Sequence, residues 1–134
     1  MGEPDSHPSR PAAVLYATQV ARVSAFYAAL AGLECTQVEA DHSVLESPGF
    51  QLVVVAIPAP IAATIELTTP PVRREDTPVK LVFPVPSLAA ARVAAAGLGG
   101  VVDPVEREWT FQASRVCDGH DPEGNVVQSR ETAG

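Results

Sequence analysis

The sequence predicts an α+β fold built from two β-α-β-β-β units in one chain. Three observations lead there. Short apolar runs suited to strands alternate with two segments of helical periodicity. Sliding the chain against itself by 68 residues puts Ala12 on Lys80, Thr18 on Pro86 and Gly32 on Gly100, so the order of elements repeats with almost no identity. Between the repeats, residues 58–77 hold four prolines and a charge cluster, the composition of a connection.

Residues 1–11 carry three prolines and no apolar pattern, and read as a flexible tail. The first unit, residues 12–57, begins with the apolar run "AAVLYA", a buried strand. Thr18 is placed to cap a helix on which Val20, Val23, Phe26, Tyr27 and Leu30 recur at intervals of three and four, and Gly32 ends it. Three strands are expected next, "LECTQVEA", "HSVLES" and "FQLVVVAI", separated by turns at Ala40-Asp41 and Pro48-Gly49. Within the connection, "TIEL" has the composition of a brief strand.

The second unit, residues 78–131, repeats the pattern. "VKLVFPV" is a strand, Ser87 an N-cap, and "LAAARVAAAG" an alanine-rich helix closed by Gly97, Gly99 and Gly100. "VVDPVEREW", "TFQASRVCD" and "NVVQSRE" complete it as three strands, the last two joined through Asp121-Pro122-Glu123-Gly124-Asn125. In that joint Asp-Pro starts a turn, Gly124 supplies a positive φ, and Asn125 bridges into an alternating strand.

Composition excludes several functions. The net charge of −7, with no basic run beyond Arg73-Arg74, repels a phosphate backbone and argues against nucleic-acid binding. The longest apolar stretch, "LVVVAIPAPIAA", is broken by Pro58 and Pro60 and is too short to span a membrane. The acidic, proline-bearing N-terminus does not resemble a secretory signal, so a cytoplasmic location is expected. Cys35 and Cys117, far apart and outside any metal-ligand spacing, read as two small buried hydrophobes.

The "AFY" ending at Tyr27, the "DPEGNVVQ" from Asp121 to Gln128 and the paired units together resemble the vicinal oxygen chelate superfamily, which includes glyoxalase I, extradiol dioxygenases and bleomycin resistance proteins. The resemblance covers about residues 12–131 and implies a curved, cup-like mixed sheet with helices outside, and a homodimer. In metal-using members four inward positions carry His, Glu or Gln. Counted along this chain they fall on Ala12, Val53, Lys80 and Gln128, of which only Gln128 has a usable lone pair. The three histidines are elsewhere: His7 in the tail, His42 after a turn, His120 in a turn. No metal ligand, cofactor or catalytic residue is therefore assigned.

Other candidates have plain explanations. His120 between Asp118 and Asp121 has the look of a base with an orienting acid, but turns gather such residues for backbone reasons, and a solvated turn is expected. Ser43 beside His42 points to the opposite strand face, so the pair is not a nucleophile and base. Trp109 and Phe111, two apart on one strand, share a face; for them, as for Tyr16 and Phe83, core packing is the default, with Trp109 also fit for an exposed platform.

Strand parity places Val14, Tyr16 and Val82 in the cup with Lys80, and Val126, Gln128 and Arg130 beside them, leaving Leu15, Leu81 and Phe83 for the helices. The candidate ligand-binding residues are Tyr16, Val53, Lys80, Val82, Trp109, Phe111, Gln128 and Arg130. Such a cup suits a small molecule held without metal, as the bleomycin-resistance branch implies. The acidic surface favours a cationic ligand and the inward donors an anionic or carbonyl-rich one, so the sign stays open. The alternatives are a metal-dependent lyase, isomerase or dioxygenase, and a non-catalytic interaction module.

Overall fold

The computed structural model describes residues 9–132; residues 1–8, most of the expected tail, lie outside the described residues. The first unit contains β1 (Ala12–Ala17), α1 (Val20–Ala31), β2 (Glu34–Val38), β3 (His42–Ser47) and β4 (Phe50–Ala56). Its strands lie in the order β1-β4-β3-β2, with β1 parallel to β4 and the other pairs antiparallel. A four-residue helix, α2 (Ala59–Ala62), starts the connection. The second unit contains β5 (Leu81–Val85), α3 (Leu88–Gly97), β6 (Val101–Val102), β7 (Trp109–Phe111), β8 (Ser114–His120) and β9 (Val126–Thr132). Its order, β5-β9-β8-β6, copies the first unit, with β5 parallel to β9 and with β7 also paired to β8. The repeat read from spacing is thus a repeat of topology.

The periodicity of α1 has a direct consequence. Val23, Phe26, Tyr27 and Leu30 are buried, and Gly32 ends the helix at φ 65°, a left-handed conformation that glycine adopts without a Cβ clash. α1 packs against α3 and β5 of the second unit, so a single core runs through both units. Phe83 of β5 lies 5.9 Å from the Tyr27 ring and 5.6 Å from that of Phe50 on β4, joining strands from the two sheets beneath α1. With helices on one face of the sheets, alternation leaves Val14, Tyr16 and Val82 exposed on the other face, while Phe83 is buried and Leu15 and Leu81 pack at the edge of the core, as parity predicts.

Four local expectations need correction. Thr18 does not cap α1: Gln19 takes the N-cap position, and an acid from the second unit serves the chain there instead. "TIEL" is not a strand; it lies between proline pairs, and the chain pairs only later, where Arg74 bridges Asn125 and donates to the Gly124 carbonyl at 2.8 Å. "VVDPVEREW" is divided into β6, a 3-10 turn at Val105–Arg107 and the start of β7, because Pro104 has no N–H to donate to a ladder. "TFQASRVCD" folds back on itself, since Gln112 and Ala113 form a two-residue hairpin between β7 and β8.

Both hairpin residues have positive φ, 47° at Gln112 and 62° at Ala113, which suits asparagine and glycine far better. Gln112→Asn combined with Ala113→Gly is expected to stabilise the protein by about 1 kcal/mol, read as a rise in the urea midpoint at unchanged slope. An unchanged or lowered midpoint would mean the present pair carries no strain.

Candidate functional site

The turn Asp121–Asn125 is not solvated: Asp121 is 0% exposed, and His120 and Glu123 are buried as well. Asp121 accepts four hydrogen bonds. Oδ1 takes the Glu123 and Asn125 amides at 2.8 and 3.1 Å, and Oδ2 takes the Tyr27 hydroxyl at 2.8 Å and Asn125 Nδ2 at 2.9 Å. Glu123 accepts the backbone amides of Thr18 and Gln19 at 2.9 and 2.7 Å, where the positive end of α1 favours a carboxylate. "AFY" and "DPEGN" are therefore two halves of one contact that docks the turn of the second unit on the helix of the first. His120 is fixed as well, with Nδ1 2.9 Å from the Asp121 carbonyl, and is not a base beside an acid in solvent.

Burial, followed by the charge and the hydrogen bond of Asp121, pushes the Tyr27 hydroxyl well above its ordinary pKa. A phenol whose folded pKa is raised contributes stability that is complete below the unfolded value, about 10, and is lost as pH rises from there towards the folded value. The stability advantage of the wild type over Tyr27→Phe should accordingly shrink between pH 9 and pH 11, followed by urea midpoints. A constant difference would show that the hydroxyl ionises as freely folded as unfolded.

The functional candidates lie on the opposite, open face. In the first sheet the register aligns Tyr16 with Val55 and His42, and Val14 with Val53 and Val44. In the second it aligns Val82, Gln128 and Asp118, and then Pro84, Arg130, Val116 and Trp109. Phe111 follows two residues after Trp109 on the same face. All eight residues picked from the sequence thus occupy the open side of the two sheets, Val53 and Tyr16 on the first and the other six on or beside the second. Trp109 and Phe111 are 41% and 44% exposed and Tyr16 61%, so of the four aromatics only Phe83 took the default place in the core.

Three of the eight are tied into one polar chain through Asp118, which the sequence offered only as a companion of His120. Asp118 Oδ2 accepts from Lys80 Nζ at 2.8 Å and Oδ1 from Gln128 Nε2 at 3.2 Å; Gln128 Oε1 then accepts from Arg130 Nε at 2.8 Å. Arg130 Cζ lies 4.8 Å from the centre of the Phe111 ring, within cation-π range. Only the β8–β9 register shows that Asp118 faces Gln128, and nothing in local sequence carries that signal. His42 begins β3, as the expected strand "HSVLES" implies, whereas His120, expected in a turn, ends β8; the register partners of both lie on the open face. His42 Nδ1 sits 2.7 Å from Asp41 Oδ1, and this hydrogen bond holds the exposed Asp41 carboxyl below its ordinary value. Cys117 is buried as expected, but Cys35 is exposed on the edge strand β2; both are free thiols.

Where the edge strands β1 and β5 approach, a cleft of about 250 Å³ opens between the units, lined by Val14 and Leu15 on one side and by Val79, Leu81 and Val126 on the other. A smaller polar hollow of about 100 Å³ adjoins it, with Thr77 and Val126 in both walls and Arg73, Lys80 and Asp118 at its far end. Arg73 grips Asp103 through two bonds of 2.6 and 3.0 Å, which anchors the connection over this hollow.

The four positions that the resemblance assigns to metal ligands do not suit a divalent cation. Ala12 and Val53 have no lone pair, the Lys80 ammonium is itself a cation satisfied by Asp118, and Gln128 spends its oxygen on Arg130 and its amide on Asp118. Among the described residues no group of three or more His, Cys, Asp or Glu is arranged to hold a metal ion.

Comparison with known proteins agrees with the topology. The glyoxalase-like domain family matches residues 12–128. A glyoxalase/bleomycin resistance protein/dioxygenase family enzyme from Burkholderia phytofirmans superimposes with a TM-score of 0.64 at 16% identity, covering 90% of this chain and 96% of that one. A glyoxalase/bleomycin resistance protein from Albidiferax ferrireducens gives the same four values. A fosfomycin resistance protein from Listeria monocytogenes superimposes with a TM-score of 0.61 at 14% identity, covering 94% of this chain and 93% of that one. At these identities the likeness is one of fold. No curated protein matches the chain.

Proposed function

Because the chain belongs to the glyoxalase-like domain family, we propose that it holds a small organic molecule on the open face of its two sheets without a metal ion, as a sequestering resistance protein does. The observation that carries this reading is the Lys80–Asp118 ion pair of 2.8 Å, which puts a fixed ammonium where a metal-using relative needs an electron-pair donor. The surroundings suit binding. The cleft between β1 and β5 is mostly apolar, three aromatic side chains stand exposed, and a few oriented polar groups supply specificity. All three superimposed proteins carry resistance in their names, which is consistent with a role in binding a toxic compound.

The same face supports a homodimer. Val14 and Tyr16 on the first sheet are large apolar side chains left in water, an arrangement that a second copy relieves. Among the described residues no helix is long and apolar enough to cross a membrane, and a cytoplasmic location is proposed with the binding role.

Elemental analysis of protein purified without chelator, paired with a thermal-shift screen of aromatic, anionic and cationic small molecules, tests the reading. Substoichiometric metal with ligand-dependent shifts supports it. Stoichiometric zinc, nickel, iron or manganese would overturn it in favour of a metal-dependent enzyme, and a flat screen would favour an interaction module.

A further inference from the structure

Arg130 differs from the chain's other cations. Arg10, Arg73, Lys80, Arg92 and Arg115 each pair with a carboxylate. Arg22, Arg74 and Arg107 have no acid partner among the described residues, but all three are exposed to water, which solvates the charge. Arg130 is half-buried and also has no acid partner among the described residues, in a chain with 16 acidic residues and nine basic ones. A partner that brings a negative charge to this guanidinium gains charge-assisted hydrogen bonds there without displacing an existing acid.

Its guanidinium is nevertheless fixed in place by neutral groups. Nε donates to Gln128 Oε1, whose own amide is held by Asp118, and the plane stands over the Phe111 ring. The two terminal nitrogens have no hydrogen-bond partner among the described residues. Two parallel N–H donors presented by a prealigned guanidinium match the two oxygens of a carboxylate. Around them lie exposed apolar side chains: Pro84 and Val82 on β5, and Trp109, two strands away from Arg130 across Val116, which is roughly 10 Å at ordinary strand spacing.

We infer that Arg130 is the anion-recognition residue of the open face, and that the ligand is a monocarboxylate with a flat apolar body, its carboxylate on the free edge of Arg130 and its body against Trp109 and β5. This rests on the binding reading above and specifies its ligand class. A single negative charge fits better than a phosphonate dianion, because Lys80, the other cation on this face, is already satisfied by Asp118.

Trp109 is the only tryptophan in the chain, so its fluorescence reports this site. Titration with phenylacetate, phenylacetamide and phenylphosphonate should show phenylacetate binding at least tenfold more tightly than the amide, and more tightly than the phosphonate. Arg130→Gln should abolish the preference for phenylacetate, weakening the acid at least tenfold more than the amide. Arg130→Lys, which keeps the charge without the fork, should retain part of it. A melting temperature near the wild-type value establishes that each variant is folded. Equal affinity for acid and amide, an unaltered preference in Arg130→Gln, or tighter binding of the phosphonate would each overturn the assignment. If other molecules in the thermal-shift screen bind while phenylacetate shows no dependence on Arg130, this inference fails and the binding reading stands. If nothing in the screen binds, both fail.

Discussion

Asp121→Ala is expected to cost about 3–5 kcal/mol and to lower the melting temperature by roughly 10–20 °C, the largest effect of any polar substitution in the chain. The carboxylate has no water contact and accepts four hydrogen bonds, two within its own turn through backbone amides, one from Asn125 and one from the Tyr27 hydroxyl 94 residues earlier. Alanine leaves those donors buried and unpaired, and the loss of turn geometry also moves Glu123 away from the start of α1. Tyr27→Phe removes only one of the four and should cost about 1–2 kcal/mol. Urea denaturation of the two single variants and the double variant gives the coupling between them. A cost below about 1 kcal/mol for Asp121→Ala, or strict additivity with Tyr27→Phe, would show that this contact does not hold the units together.

Phe83→Ala is expected to cost a similar amount, about 3–5 kcal/mol, for a different reason. The Phe83 side chain is buried and meets Tyr27 of α1 and Phe50 of β4, so one ring joins the second sheet to the helix and sheet of the first. Removing it loses the transfer free energy of a phenyl group and opens a cavity that two surrounding rings cannot easily close. Phe83→Leu, which keeps most of the volume, should recover more than half of the loss. If the alanine variant unfolds within about 1.5 kcal/mol of the wild type in urea, the units do not depend on this contact.

The two variants together probe one design. Asp121 and Phe83 both touch Tyr27, one at its hydroxyl and one at its ring, so α1 is held by a polar and an apolar grip from the second unit. This explains why the short "FY" and "DPEGN" signals are informative about fold: each serves the docking of the units. The open face is freed from that task and carries the ligand-binding candidates.

Much of this was legible in the sequence. The element order, the 68-residue offset, the helical faces of α1 and α3 and the sides taken by β1, β5 and β9 follow from apolar spacing and from glycine and proline, because these are local properties of the chain. The same spacing put Tyr16, Lys80, Val82, Gln128 and Arg130 on the side away from the helices, whereas Val53 was reached through the family resemblance and Trp109 and Phe111, expected by default in the core, are exposed. It failed where a residue's neighbours mattered more than its own pattern. "VVDPVEREW" kept its apolar character through a proline that ends the ladder, and the hairpin at Gln112-Ala113 lacks the glycine or asparagine that usually announces one.

What tertiary structure alone decided is which distant groups meet. Asp121 finds Tyr27 across 94 residues, Glu123 reaches Thr18 across 105, and Lys80 reaches Asp118 across 38. Periodicity fixes the face a side chain takes, since that depends on backbone geometry a few residues long. It says nothing of the strand or helix brought against that face, because register and docking arise from burying both units' apolar surface at once, and so a turn that reads as hydrated becomes a buried junction between the two units.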